Sequence, residues 1–151
     1  MRDVPFRFGL ERVRELRAHD EDRAKEAFAA SLQQRLRGAA QLAAADARLR
    51  DALDAGTPSG GLSLTGADLL AHQSWVERLE RTRSDAQLAL HHFDVDLATS
   101  RASLTEASRR REALERLKQR QGAEHRATAA RREAAALDEI ALRGHGRRAG
   151  V

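Results

Sequence analysis

Ala55-Gly56-Thr57-Pro58-Ser59-Gly60-Gly61 is the densest breaker cluster in the chain. A helix interior does not tolerate Pro, and three Gly within six residues remove the rest of the helical bias. No comparable cluster occurs between Gly9 and Ala55, or between Ala67 and Arg143. Gly38 and Gly122 are isolated, and each costs about 1 kcal/mol against Ala, which a long helix absorbs. The chain therefore reads as two helices and one turn: helix over about 8–54, loop over about 55–66, helix over about 67–143, and a flexible tail over 144–151.

The residues on either side of the turn repeat with coiled-coil spacing. Phe28, Leu32, Arg35, Ala39, Leu42, Asp46, Leu49 and Leu53 step 4-3 before it, and Leu10, Val13 and Leu16 begin that face less regularly. After it, Val76, Leu79, Arg83, Ala86, Leu90, Phe93, Leu97, Ser100, Leu104, Ala107, Arg111 and Leu114 alternate 3-4 without a break. A seam held that long is a coiled-coil signal. Thr65, ahead of Ala67 and Asp68, is an N-cap candidate. Two helices joined by a short loop fold back antiparallel. The expected fold class is thus all-α, a single antiparallel coiled-coil hairpin over 1–151. At 1.5 Å per residue the helices are roughly 70 Å and roughly 115 Å long, so the second overhangs at its C-terminal end. A turn centred near residue 61 sets Phe8 beside residue 114. The seam fades after Leu117, and Lys118–Arg143 is expected to be a polar overhang, helical mainly when something supports it.

Composition agrees with that architecture. Of 151 residues, 33% are charged and only 3% aromatic, with no Tyr and Pro only at 5 and 58. Ala, Leu, Arg and Glu dominate, which with helical periodicity marks long helices. There is no Cys, so disulfide scaffolds, thiolate metal sites and cysteine nucleophiles are excluded. No apolar run reaches 18 residues, so nothing is expected to span a membrane. The opening residues hold no apolar signal core, and the default expectation is a cytoplasmic protein. The net charge of +4 is uneven. From Arg109 to Arg148 there are 12 Lys+Arg against 6 Asp+Glu, while the remainder carries 15 against 17. A basic C-terminal third suits an acidic partner surface or nucleic acid.

A search for chemistry finds none. His91 and His92 are adjacent and diverge by about 100° on a helix, so they do not make a metal pair. His19, His72, His125 and His145 are isolated in sequence and read as solvent-facing. The Ser and Asp residues are scattered along helices with no elbow to hold a nucleophile beside a base. Gly60-Gly61 lacks the spacing and following Lys of a phosphate loop. No cofactor or metal is expected, and no feature supports an enzyme. Arg109-Arg110-Arg111 is basic, yet Glu106 and Glu112 stand at favourable i, i+4 spacing to Arg110 and Arg116. No aromatic is near for stacking, so nucleic acid is not expected. Trp75 is the single Trp, and Trp75, Leu79, Thr82 and Ala86 step 4-3-4 along the flank of the seam. Trp favours partner hot spots, and it also suits covering the end of a coil near a loop.

Three stretches together carry a family resemblance. Phe6-x-Phe8-x-Leu10-Glu11-x-Val13-x-x-Leu16-Arg17 resembles the opening of the FliJ family of flagellar export proteins. Arg110-Arg111-Glu112-Ala113-Leu114-Glu115-Arg116-Leu117-Lys118-Gln119-Arg120 is similar to that family's most recognisable stretch, and Leu137-Asp138-Glu139-Ile140-Ala141 to its closing motif. The resemblance implies a component of flagellar type III export, without enzymatic activity, that resembles the central stalk of rotary ATPases. Its implied partners are the export ATPase hexamer, the cytoplasmic domain of the membrane export gate, and export chaperones. It implies gate contact through Trp75, Leu79, Thr82 and Ala86. It implies ATPase-ring contact through Arg110, Arg111, Arg116, Lys118, Arg120, Asp138 and Glu139, and a location in the cytoplasm at the membrane periphery. The same physics fits an injectisome stalk homologue, a generic coiled-coil scaffold, or a basic nucleic-acid-binding coil.

Overall fold

The computed structural model describes residues 5–56 and 65–148, and it is all-helical. Helix α1 runs Glu11–Asp54 and helix α2 runs Gly66–Arg148. The two pack antiparallel as a helical hairpin. Helix α1 begins three residues after Phe8, whose carbonyl accepts the Glu11 N–H at 3.2 Å. It ends where Gly56 takes the left-handed conformation, φ 62°, and its N–H turns back to the Leu53 carbonyl. That conformation costs Gly nothing and closes helices in this way. Most of the expected loop, 57–64, lies outside the described residues. Helix α2 opens on a capping box. The Asp68 N–H donates to Thr65 Oγ1 at 3.2 Å, and the Thr65 N–H donates to Asp68 Oδ2 at 3.0 Å. The same Thr65 contacts hold the Asp68 carboxyl below the usual carboxylate range. Helix α2 continues through 144–148, beyond the end near 143 expected from the sequence; 149–151 lie outside the described residues.

The chain divides into two compact units, and the boundary falls inside both helices. One unit is Met1–Glu21 with Ala107–Val151; the other is Asp22–Glu106. In the second unit the expected face of α2 is the observed one: Val76, Leu79, Arg83, Ala86, Leu90, Phe93, Leu97, Ser100 and Leu104 are shielded. On α1 the seam is turned from its expected position. Gly38, Ala45 and Ala52 are buried and Ser31 is shielded, whereas Leu32 and Leu53 remain 38% and 56% exposed. Phe28, Arg35, Ala39, Leu42, Asp46 and Leu49 belong to it as expected. The reason is the close approach of Phe93. Its ring fills the space over Gly38, where an added Cβ would stand 2.7 Å from Cδ2. Small residues every seventh position let the backbones come together and leave the leucines at the margin.

The register differs from the expected one by a heptad. In the second unit Arg35 pairs with Asp94 at 3.0 Å and Arg83 with Asp46 at 2.5 Å. Both pairs of residue numbers sum to 129, where a turn at residue 61 would give 122. Residue 114 is therefore not the neighbour of Phe8. In the first unit Phe6 packs on His125, with ring centroids 5.7 Å apart, and touches the site of a Cβ on Gly122. The expected overhang from Lys118 is accordingly corrected: Lys118 pairs with Glu11 at 3.0 Å, Gly122 is buried, and the wholly exposed stretch begins at Ala130.

Candidate functional interface

The first unit joins apolar contacts to a dense set of cross-helix charge pairs. Phe8 is its one buried apolar side chain among the described residues. Beside it, Glu11 accepts from Arg14 on its own helix at 2.6 Å and from Lys118 on α2 at 3.0 Å. The hydrogen bond from Arg14, then that from Lys118, draws the Glu11 carboxyl below the ordinary carboxylate range. Arg14 also reaches Glu115 at 3.5 Å. Two helical turns beyond Arg14, Glu21 is buried, 7% exposed, with both oxygens engaged. Ser108 Oγ donates to Oε1 at 2.9 Å, and Arg111 Nε lies 2.5 Å from Oε2 as an ion pair without an aligned hydrogen bond. A buried carboxylate in a two-helix seam is tolerated because it is paired and hydrogen-bonded.

Those contacts sort the residues that the family resemblance singles out. Arg111 and Lys118 face α1 and are engaged by Glu21 and Glu11. Arg116 points outward, 74% exposed, and pairs along the helix with Glu112 at 2.8 Å. Arg120 is 71% exposed, 3.9 Å from Glu124. Arg110, Asp138 and Glu139 are exposed, and Glu139 pairs with Arg143. The group is thus split between packing against α1 and facing solvent.

Several apolar residues in or beside the opening and closing motifs face outward in this unit, although Phe6 is shielded and Phe8 buried. Leu10, Val13 and Leu16, expected on the seam, are 41%, 38% and 56% exposed, because Glu11, Arg14 and Glu21 take the positions facing α2. On α2, Leu137, Ile140 and Leu142 are 61%, 66% and 73% exposed. They lie in a stretch, 130–143, in which every residue is exposed. Periodicity alone missed the outward leucines, since Leu at helical spacing ordinarily signals a buried face. The one available cue was the charged residues standing between them.

In the second unit, Trp75 and Thr82 are exposed while Leu79 and Ala86 are shielded in the seam. Trp75 is 45% exposed and stands edge-on to His72, ring centroids 6.4 Å apart. Thr82 Oγ1 donates back to the Arg78 carbonyl at 2.9 Å. The stripe therefore presents one large amphipathic ring at the seam's edge. Among the described residues no group of His, Asp and Glu converges to hold a metal ion. A depression lined by Glu77, Glu80, Arg81 and Ser84 is open to solvent and shallow. Among the described residues no helix is long and apolar enough to cross a membrane.

Comparison with known proteins adds one finding of weight. The family model described as "Flagellar FliJ protein" matches residues 6–150. Curated proteins yield no match, and neither do solved structures.

Proposed function

The chain belongs to the flagellar FliJ protein family and is a component of flagellar export, and from that we propose that it works by binding: it engages the export ATPase ring, contacts the cytoplasmic domain of the export gate, and receives export chaperones. The exposed stretch 130–143 carries this reading. Leu137, Ile140 and Leu142 are more than half exposed there, in a part of α2 where every residue is exposed. Long helices gain most of their stability from packing, and a partner surface would supply it. Asp138 and Glu139 lie on that stretch, Arg116 and Arg120 lie ten or more residues before it, and all four are exposed to an outside partner. Arg111 and Lys118 would act by holding α1 in register rather than by touching the ring. Trp75 would anchor the gate, as exposed Trp commonly does at interfaces. The protein would act in the cytoplasm, at the periphery of the membrane.

The test is a cut at residue 129, which spares every cross-helix contact described above. Loss of residues 130–151 should abolish stimulation of the export ATPase while the remaining helices melt at nearly the same temperature. Stimulation surviving that cut would remove the ring-binding assignment. In the same assays Trp75→Ala should lose capture of the gate domain and keep the ATPase.

A further inference from the structure

Helix α1 carries a second apolar face within the Asp22–Glu106 unit. Ala29, Leu32, Leu36, Ala40, Ala43 and Ala47 step 3-4-4-3-4, and all six are exposed. At 100° per residue they lie about 120–200° around the helix from Gly38, on the side away from α2. Leu36 is 55% exposed. Exposed alanines alone carry little, since Ala is the best helix former. The arrangement carries the inference. The outward face of α2 in the same unit reads Arg81, Asp85, Leu88, His92 and Thr99, the ordinary mixture of a wetted face. Over Ala29–Ala47 the α1 face holds no charge at all, because the three charged residues of that span, Arg35, Arg37 and Asp46, lie elsewhere on the helix, and two of them are committed to α2.

The stripe is complementary to itself when reversed. An isologous two-fold contact pairs residue i with j and j with i. Centred at residue 38, it sets Leu36 against Ala40, Leu32 against Ala43 and Ala44, and Ala29 against Ala47. Each large side chain meets a small one, which is what close helix packing requires. The charged residues that bound the stripe agree with the same register: Lys25 falls opposite Asp51, and Glu26 opposite Arg50. Symmetry makes each pair twice. Asp22 meets Asp54 only beyond them, at the last residue of α1.

We propose that this face is a self-association surface, on which a second copy of the chain docks antiparallel through Ala29–Ala47. The inference is independent of the ring-binding reading. The stripe spans about 27 Å at 1.5 Å per residue, and so short a contact gives a weak dimer, with a Kd on the order of tens of micromolar.

Sedimentation equilibrium of the full chain over a concentration series tests it. The expected result is a monomer–dimer equilibrium that Leu36→Asp weakens at least about tenfold, with helicity unchanged because the site is exposed. Glu26→Arg and Arg50→Glu each weaken self-association, since like charges then face each other across the two-fold axis. Mixed together, the two variants associate, because every facing pair becomes opposite in sign. A chain that stays monomeric up to roughly 500 μM, well above a weak interface of this class, overturns the proposal. So does a dimer that ignores Leu36→Asp, or a mixture of the two charge variants that associates no better than either alone.

Discussion

The same two helices meet in two different ways. Within Asp22–Glu106 the contact is made by small residues and leucines, with Phe93 set over Gly38. Within Met1–Glu21 and Ala107–Val151, Phe6, Phe8, Leu114 and Leu117 are joined by a denser set of polar contacts from Glu11, Arg14, Glu21, Ser108, Arg111, Glu115 and Lys118. Apolar burial is non-directional and strong in sum; surface ion pairs are worth about 0–1 kcal/mol each but demand particular partners. The Asp22–Glu106 unit is therefore the better source of stability. Register is fixed by ion pairs in both units, Arg35–Asp94 and Arg83–Asp46 in one and Glu11–Lys118 in the other.

The largest expected effect sets the two contacts directly against each other. Ala45 is 5% exposed in the small-residue seam, and Ala134 is exposed on the unpaired stretch of α2. Ala45→Glu combines overpacking with burial of a charge and should cost about 2–4 kcal/mol. That corresponds to a melting point lower by about 5–15 °C for a chain of this length. Ala134→Glu should stay within about 0.5 kcal/mol, as surface changes do. Thermal melts followed by circular dichroism compare them. Equal losses at both sites would break the contrast.

A smaller effect sharpens the picture of the seam. Gly38→Ala gains about 1 kcal/mol of helix propensity and loses about 1–3 kcal/mol to the clash with the Phe93 ring. The net should be destabilising by at most about 2 kcal/mol. In a Phe93→Leu background the clash term falls away and the same substitution should become stabilising. A double-mutant cycle reads the difference as a coupling energy. If Gly38→Ala has the same effect in both backgrounds, Phe93 is not what keeps position 38 small.

How much of this was legible in the sequence follows from what each signal measures. The α2 seam was legible in full, since large apolar residues at strict spacing outvote everything else. The α1 seam was legible in most of its positions. Phe28, Arg35, Ala39, Leu42, Asp46 and Leu49 were read correctly, but Leu32 and Leu53 outweighed Ser31, Gly38, Ala45 and Ala52, because a period count favours bulk and close approach favours its absence. The register was off by seven residues, a shift that a heptad pattern does not detect. Only the charge pairs Arg35–Asp94, Arg83–Asp46 and Glu11–Lys118 discriminate it. Among the family-matched residues, the sequence did not separate Arg111 and Lys118 from Arg116 and Arg120. All four are cations on one helix, and what divides them is the placing of Glu21 and Glu11 on the other.

The smallest effect concerns that placing. The Glu11 carboxyl is drawn below its ordinary value of 4.5 by its hydrogen bonds to Arg14 and Lys118. In the unfolded chain the ordinary value returns. A depressed folded pKa means that the unfolded state binds the proton more readily as pH falls, so the contribution of Glu11 is present above pH 4.5 and is lost as pH drops through the lowered value. Glu11→Gln should therefore flatten the acid limb of the stability–pH curve below pH 4.5 and leave its shape near neutrality unchanged. Denaturant melts of both proteins over that limb make the comparison. Asp68 works in the same direction through Thr65, so a background of Thr65→Ala with Asp68→Asn removes the second source. An acid limb that stays equally steep with Glu11→Gln in that background would mean that the Glu11–Lys118 contact holds the register without contributing to stability.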